Sequence, residues 1–141
     1  MNIKALFSAA SVFFLLSFSA STSAQSLYQD LGELEGIDQL NERFVINLVE
    51  DRRISHHFEQ TDLARLHQML TEQFCELAGG PCVYSGDDMV TSHTGLNITR
   101  SDFNALVEAL QLAMDDQGIA IGAQNRLLAL LAPMHHEVVN R

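Results

Sequence analysis

Met89-Val90-Thr91-Ser92-His93-Thr94-Gly95-Leu96-Asn97-Ile98 is the stretch on which the reading of this chain turns. Gly86-Asp87-Asp88 opens a short helical turn from Met89 to His93, and Thr94 to Ile98 forms a connector into an apolar helix that carries Phe103. A lone histidine is more often a surface or satisfied core residue than a ligand. That neighbourhood sets His93 apart from His56, His57, His67, His135 and His136.

On either side the chain reads as helices joined by short turns. Leu27 to Leu31 is a brief start that stops at Gly32. From Ile37 the residues Ile37, Leu40, Phe44 and Leu48 fall at helical spacing, with Val45 and Ile46 on adjoining rows, until Asp51-Arg52-Arg53 interrupts them. Ile54 to Phe58 is a connector. Thr61 or Asp62 can cap a helix whose stripe is Leu63, Leu66, Leu70, Phe74 and Leu77, ending at Gly79-Gly80. Ser101 is placed to cap the next, with Phe103, Leu106, Val107, Leu110 and Met114 on one face. Gly118 to Gly122 separates it from a last helix through Leu127, Leu128 and Leu131 to Val138, which Pro133 can kink. No strand alternation or internal repeat interrupts this pattern, and it predicts an all-α domain.

With 141 residues the chain is one domain at most once processing is allowed for. Hydrophobic residues at 47% against 18% charged mark a globular composition, not a disordered one. Lys4 is the single lysine, so the residues after 24 carry seven Arg against eighteen Asp and Glu, a net −11. Binding to a nucleic-acid backbone draws on clustered Lys and Arg, and that class of function is excluded.

Met1 to Lys4 is short and weakly positive, Ala5 to Phe18 is a nearly unbroken apolar run, and small residues from Ser19 to Ala24 precede Gln25. That order predicts a secretory signal peptide over 1–24 and a domain over 25–141. The protein is then exported, periplasmic or secreted, and free of the membrane after cleavage. An uncleaved anchor is the alternative, but it needs roughly 20 apolar residues where about 14 stand. Export bears on Cys75 and Cys82, which bracket the chain-reversing Gly79-Gly80-Pro81. In an oxidising compartment they suit a local disulfide; two free thiols, with Cys75 facing the core, are the alternative. There is no Cys-x-x-Cys-His for covalent haem attachment, and neither cysteine has a partner at zinc-ligand spacing.

Taken in order, these pieces resemble the truncated haemoglobins, most nearly their first group. The likeness is carried by Leu27-Tyr28 with Leu31-Gly32, Phe44, Phe58, Phe74, Gly79-Gly80, Tyr84-x-Gly86, Met89-x-x-x-His93, Ile98 and Phe103. Each is weak alone; the ordered set, running from Leu27 to the last residue, is specific. The resemblance implies a two-over-two helical sandwich around haem b, iron protoporphyrin IX. It implies His93 as proximal iron ligand, Phe58 flat on the porphyrin and Met89 beside the proximal face. Val45, Leu66, Met69, Leu70, Phe74, Ile98 and Phe103 complete the implied pocket. A neutral imidazole suits iron and leaves the sixth position open to a diatomic gas.

Departures from the family pattern bear on function. The family usually sets a tyrosine after the phenylalanine of the second helix, and Gln or His on the third. Here those places hold Val45 and Leu66, Met69 and Leu70. A pocket without a donor forgoes about 1–3 kcal/mol on charged dioxygen, which argues against tight oxygen storage and against nitric-oxide dioxygenation. Two functions follow. One is a gas-binding haem protein for dioxygen, nitric oxide or carbon monoxide. The other is an electron-transfer or haem-holding protein in which Met69, where some photosynthetic relatives carry a histidine ligand, takes the sixth position. A gap-filling core methionine is the plainer role for Met69. The electron donor is unidentified, and a haem-free helical interaction protein is a third reading. Ala132-Pro133-Met134-His135 also matches the place where some photosynthetic relatives bond a histidine to a haem vinyl group; ordinary packing is the alternative. His67 is expected at the surface, and His56 and His57 either at the haem propionates or in a solvated connector.

Overall fold

Helix α1 (Leu27–Asp30) begins at a reciprocal cap, in which the Ser26 hydroxyl accepts from the Gln29 amide and the Gln29 side chain accepts from the Ser26 amide. The computed structural model describes residues 25–141, so the expected signal peptide over 1–24 lies outside the described residues. Helix α2 (Glu33–Glu50) starts earlier than the expected Ile37. Gly32 turns left-handed to open it, and Gly36 is part of the helix because a methyl group there would overlap the Leu31 carbonyl oxygen. A helix-breaking residue type is thus the one the close approach demands.

A 3-10 turn (Ser55–Phe58) leads to α3 (Leu63–Leu77), capped by Asp62, whose carboxylate accepts from the Arg65 amide at 3.1 Å. Asp88 caps α4 (Met89–His93) in the same way, accepting from Thr91 at 2.7 Å. Helix α5 (Arg100–Asp116) is capped by Thr99 and not by Ser101. Thr99 Oγ1 accepts from the Asp102 amide at 3.1 Å and Asp102 accepts from the Thr99 amide at 2.9 Å. Ser101 has no acidic residue three positions on to complete such a pair. Helix α6 (Ile121–Leu131) ends in a 3-10 turn (Ala132–Met134) before α7 (His135–Val138). Pro133, lacking an N–H, lies in that 3-10 turn while Leu131, Ala132, Met134 and His135 keep right-handed helical angles, so the helix is bent there and not ended, as expected of a proline kink.

All regular structure among the described residues is helical. Helix α2 packs on α3 and α5, α3 on α6, and α1 against α2 and α6, so an α2–α3 layer lies over an α5–α6 layer. The stripe Ile37, Leu40, Phe44 and Leu48 is buried with Phe74, Leu110, Met114 and Leu127 in one core. Each such side chain taken from water stabilises by about 1.5–3 kcal/mol. Asn47 Nδ2 donates to the Ala109 carbonyl at 3.0 Å and pins α2 to α5. Cys75 and Cys82 are joined in a disulfide with Cα atoms 5.7 Å apart, so the free-thiol alternative is set aside. At the other end, the Asn97 amide donates to Arg141 O at 3.0 Å and the Asn140 amide to Ile98 O at 2.8 Å. The last residues thereby strap the connector that follows His93. No described helix is long and apolar enough to cross a membrane.

Candidate functional site

Between the layers the side chains leave a cavity of about 600 Å³, walled by residues from Phe44 on α2 to Val138 on α7. His93 stands in its wall at the end of α4, where the cap at Asp88 starts the helix that carries it. Its Nδ1 lies 2.7 Å from the Met89 carbonyl oxygen. A carbonyl only accepts, so Nδ1 carries the hydrogen and Nε2 keeps its lone pair. Among the described residues nothing hydrogen-bonds to Nε2. The arrangement is that of an imidazole prepared to bind a metal.

Phe58, Leu66, Met69, Leu70, Phe74, Met89, Ile98 and Phe103 all line the same cavity with His93. Val45 does not, which corrects the expectation for it. It is buried on the same face of α2 as Phe44 and Leu48, but those two longer side chains are the α2 residues that line the cavity. His135 is likewise absent from the lining. Its ring packs edge-on against Phe103, centroids 4.7 Å apart, while Met134 faces the cavity. His67 lies at the surface as expected, outside the lining, partly covered and with Nε2 3.0 Å from the Asp38 carbonyl oxygen. His56 is exposed. His57 is neither solvated nor apart from the site: it lines the cavity, with Nε2 3.3 Å from Asp102 Oδ2 but out of line for a hydrogen bond.

Several lining residues escaped the sequence reading. Gln73 is 8% exposed and donates from Nε2 towards Met89 Sδ at 3.6 Å and Met134 Sδ at 3.9 Å. It stands seven residues after Leu66 and three after Leu70, on their face of α3, and that register was the available signal. Thr61, Asp62, Arg65, Asp87 and Ser92 also line the cavity and are all exposed, so they form its polar mouth. Arg65 is the cation there. Tyr84 closes one side, its hydroxyl donating to the Asp87 carbonyl at 2.8 Å and its ring lying so close to Gly86 that a methyl group would overlap it. Burial, with the Asp87 charge second, raises the Tyr84 hydroxyl above its usual pKa, so it stays a donor.

Carboxylates around the site are held ionised by local donors. The Thr91 amide, then the Thr91 hydroxyl, lower Asp88; the Thr99 amide, then its hydroxyl, lower Asp102, with His57 adding less. Each thereby keeps its cap at neutral pH. An apolar cavity of this size, a polar mouth with one guanidinium, and the His93 imidazole, its Nδ1 committed to a carbonyl and its Nε2 unbonded, fit a flat amphipathic metal-bearing ligand such as haem.

The matches to known proteins agree with that geometry. The family model described as bacterial-like globin matches residues 26–140. The group 1 truncated hemoglobin of Tetrahymena pyriformis is 24% identical over 117 residues, covering 83% of this chain and 97% of that protein. The group 1 truncated hemoglobin GlbN of Synechocystis is 29% identical, covering 82% and 98%. Among solved structures, the Fe(III) form of the Tetrahymena pyriformis truncated hemoglobin superposes with a TM-score of 0.79 over 83% of this chain and 100% of that one. The 2/2 hemoglobin from Synechococcus, with covalently attached heme, does so at 0.77 with 24% identity. This chain shares their two-over-two fold.

Proposed function

Because the chain belongs to the bacterial-like globin family, we propose that its cavity holds haem b, with His93 as iron ligand, and that it takes up a diatomic gas such as dioxygen or nitric oxide. The observation that carries this is the imidazole of His93 in the cavity wall, its Nδ1 committed to the Met89 carbonyl. Bound haem supplies an iron centre whose remaining position accepts a small gas. The chain's own contributions are separable. His93 holds the metal through Nε2, and its fixed tautomer spares the cost of reorientation. Arg65 at the mouth attracts the propionate carboxylates. Phe58, Phe103 and Ile98 exclude water from the interior, which keeps charge interactions inside strong.

The test is the visible spectrum of the purified protein in ferric, ferrous and carbonyl forms, with His93→Ala beside wild type. Wild type is expected to show a Soret band, and His93→Ala to lose haem. Full haem content and an unchanged spectrum in the variant would sink the assignment. The thioether of Met69 in the same wall favours a second reading, electron transfer with Met69 as sixth ligand. A six-coordinate low-spin ferric spectrum that Met69→Leu abolishes would select it.

We further propose that residues 1–24 direct export. The closed Cys75–Cys82 disulfide supports that, since such bonds persist in oxidising compartments. The N-terminus of the protein recovered from cells is expected to be Gln25.

A further inference from the structure

Gln73 is the one lining side chain among the described residues that is both polar and more than nine-tenths buried. Burying a carboxamide costs free energy that a leucine of similar volume would not. Its donors meet only sulfur, at 3.6 Å on Met89 and 3.9 Å on Met134, and thioethers are weak acceptors. Each contact is weak as a hydrogen bond, so what the pair can supply is orientation of the two thioethers. What the two contacts share is position.

Met89 is the residue whose carbonyl receives the Nδ1 hydrogen of His93. Met134 closes the turn between α6 and α7, and α7 is packed on α4. From α3, Gln73 thus touches the first residue of the helix that ends in His93 and the turn that leads into the α7 packed on it. A five-residue helix has little stability of its own and takes its orientation from its neighbours. We infer that Gln73 is a positioning residue for His93: its carboxamide fixes the Met89 side chain, and with it the carbonyl that sets the tautomer and angle of the imidazole. The inference rests on the haem reading only for its consequence, which is that Gln73 tunes the bond from His93 to iron.

Two variants and one pairing test it. Gln73→Leu keeps the volume and removes both donors; Gln73→Glu keeps the shape and, ionised, donates nothing. In haem-free protein, the ring-nitrogen NMR signals of His93 are expected to show one Nδ1–H tautomer in wild type and a mixture in both variants. In ferrous haem-loaded protein, the iron–histidine stretching band is expected to shift and broaden, and haem loss to an acceptor globin to quicken about fivefold. Met89→Leu should do the same, and adding Gln73→Leu to it should change nothing more, because both act through one contact. If Gln73→Leu lowers the unfolding midpoint but leaves tautomer and band untouched, or if its effect adds to that of Met89→Leu, Gln73 only fills space and the inference falls. Wild-type behaviour of Gln73→Glu would overturn it too, since shape alone would then suffice. Should wild type take up no haem, the haem reading fails, and the nitrogen spectra still decide the link from Gln73 to His93.

Discussion

The Ser85 hydroxyl donates to Glu72 Oε2 at 2.6 Å, bringing the loop before α4 onto α3. The same carboxylate accepts from the Ser85 amide at 3.0 Å, and Glu76 one turn on accepts from the Tyr84 amide at 3.3 Å. The Ser85 hydroxyl, then the Gln68 amide, hold Glu72 below its usual pKa, so it stays an acceptor at neutral pH. Between these two glutamates, Cys75 adds the covalent tie to Cys82. Tyr84, Gly86 and Asp87, which wall the cavity, are thus held to α3 at successive points.

Cutting the covalent tie should be measurable. For a loop this short, the entropy argument gives about 2–3 kcal/mol. Cys75→Ser with Cys82→Ser is expected to lower unfolding free energy by that amount in urea titration, and reductant should bring wild type to the same value. An unchanged midpoint would mean that residual structure already restrains this segment of the unfolded chain as much as the disulfide does.

Acid should loosen the helix that carries His93. Asp88 has its pKa lowered in the folded protein, so its stabilisation is present above the ordinary aspartate value and is lost as pH falls through the lowered one. Haem retention, followed at the Soret band, is expected to fall in that acidic window. Asp88→Asn, which still caps without titrating, should flatten this contribution, and Asp88→Ala should release haem faster at every pH.

Leu66, Met69 and Leu70 offer the cavity no strong hydrogen-bond donor. Oxygen release should accordingly be fast, and carbon monoxide, which carries less charge, should be favoured. Leu70→Gln is expected to slow oxygen release by about tenfold if its new bond is worth ~1.4 kcal/mol, with little effect on carbon monoxide. Flash photolysis reads both; equal changes for both gases would point to access instead of bonding.

Arg65→Ala should weaken haem binding severalfold, with the difference shrinking as salt rises, because the guanidinium is exposed at the mouth. Transfer of haem to an acceptor globin at low and high ionic strength checks it. A salt-independent loss would assign Arg65 a packing role.

Much of this architecture is legible in the apolar spacing. Ile37, Leu40, Phe44 and Leu48 are all buried as the period demands. Where the spacing misleads, a second force is at work. The apolar period begins at Ile37, yet the helix already includes Gly36, where close approach to the Leu31 carbonyl excludes any side chain. Leu63 shares the stripe of Leu66 but is exposed, since the first turn of α3 lies beyond the packed layers. Gln73 fits the inward register while its chemistry says outward. Val45 shares the buried face of Phe44 and Leu48, and spacing does not tell which of the three side chains reaches the cavity. His57 sits in a connector where no period applies.

The strap formed by Asn140 and Arg141 on Ile98 and Asn97 bears on how the protein is made. The cavity takes its walls from residue 44 to residue 138, and the connector behind His93 is strapped by residues still later in the chain. Of the described residues these are synthesised last. A nascent chain can therefore fold its α2 and α3 core while the cavity stays open on one side, and on the haem reading loading waits for residues 140 and 141. For the same reason a tag fused directly to Arg141 is expected to disturb the connector that follows His93.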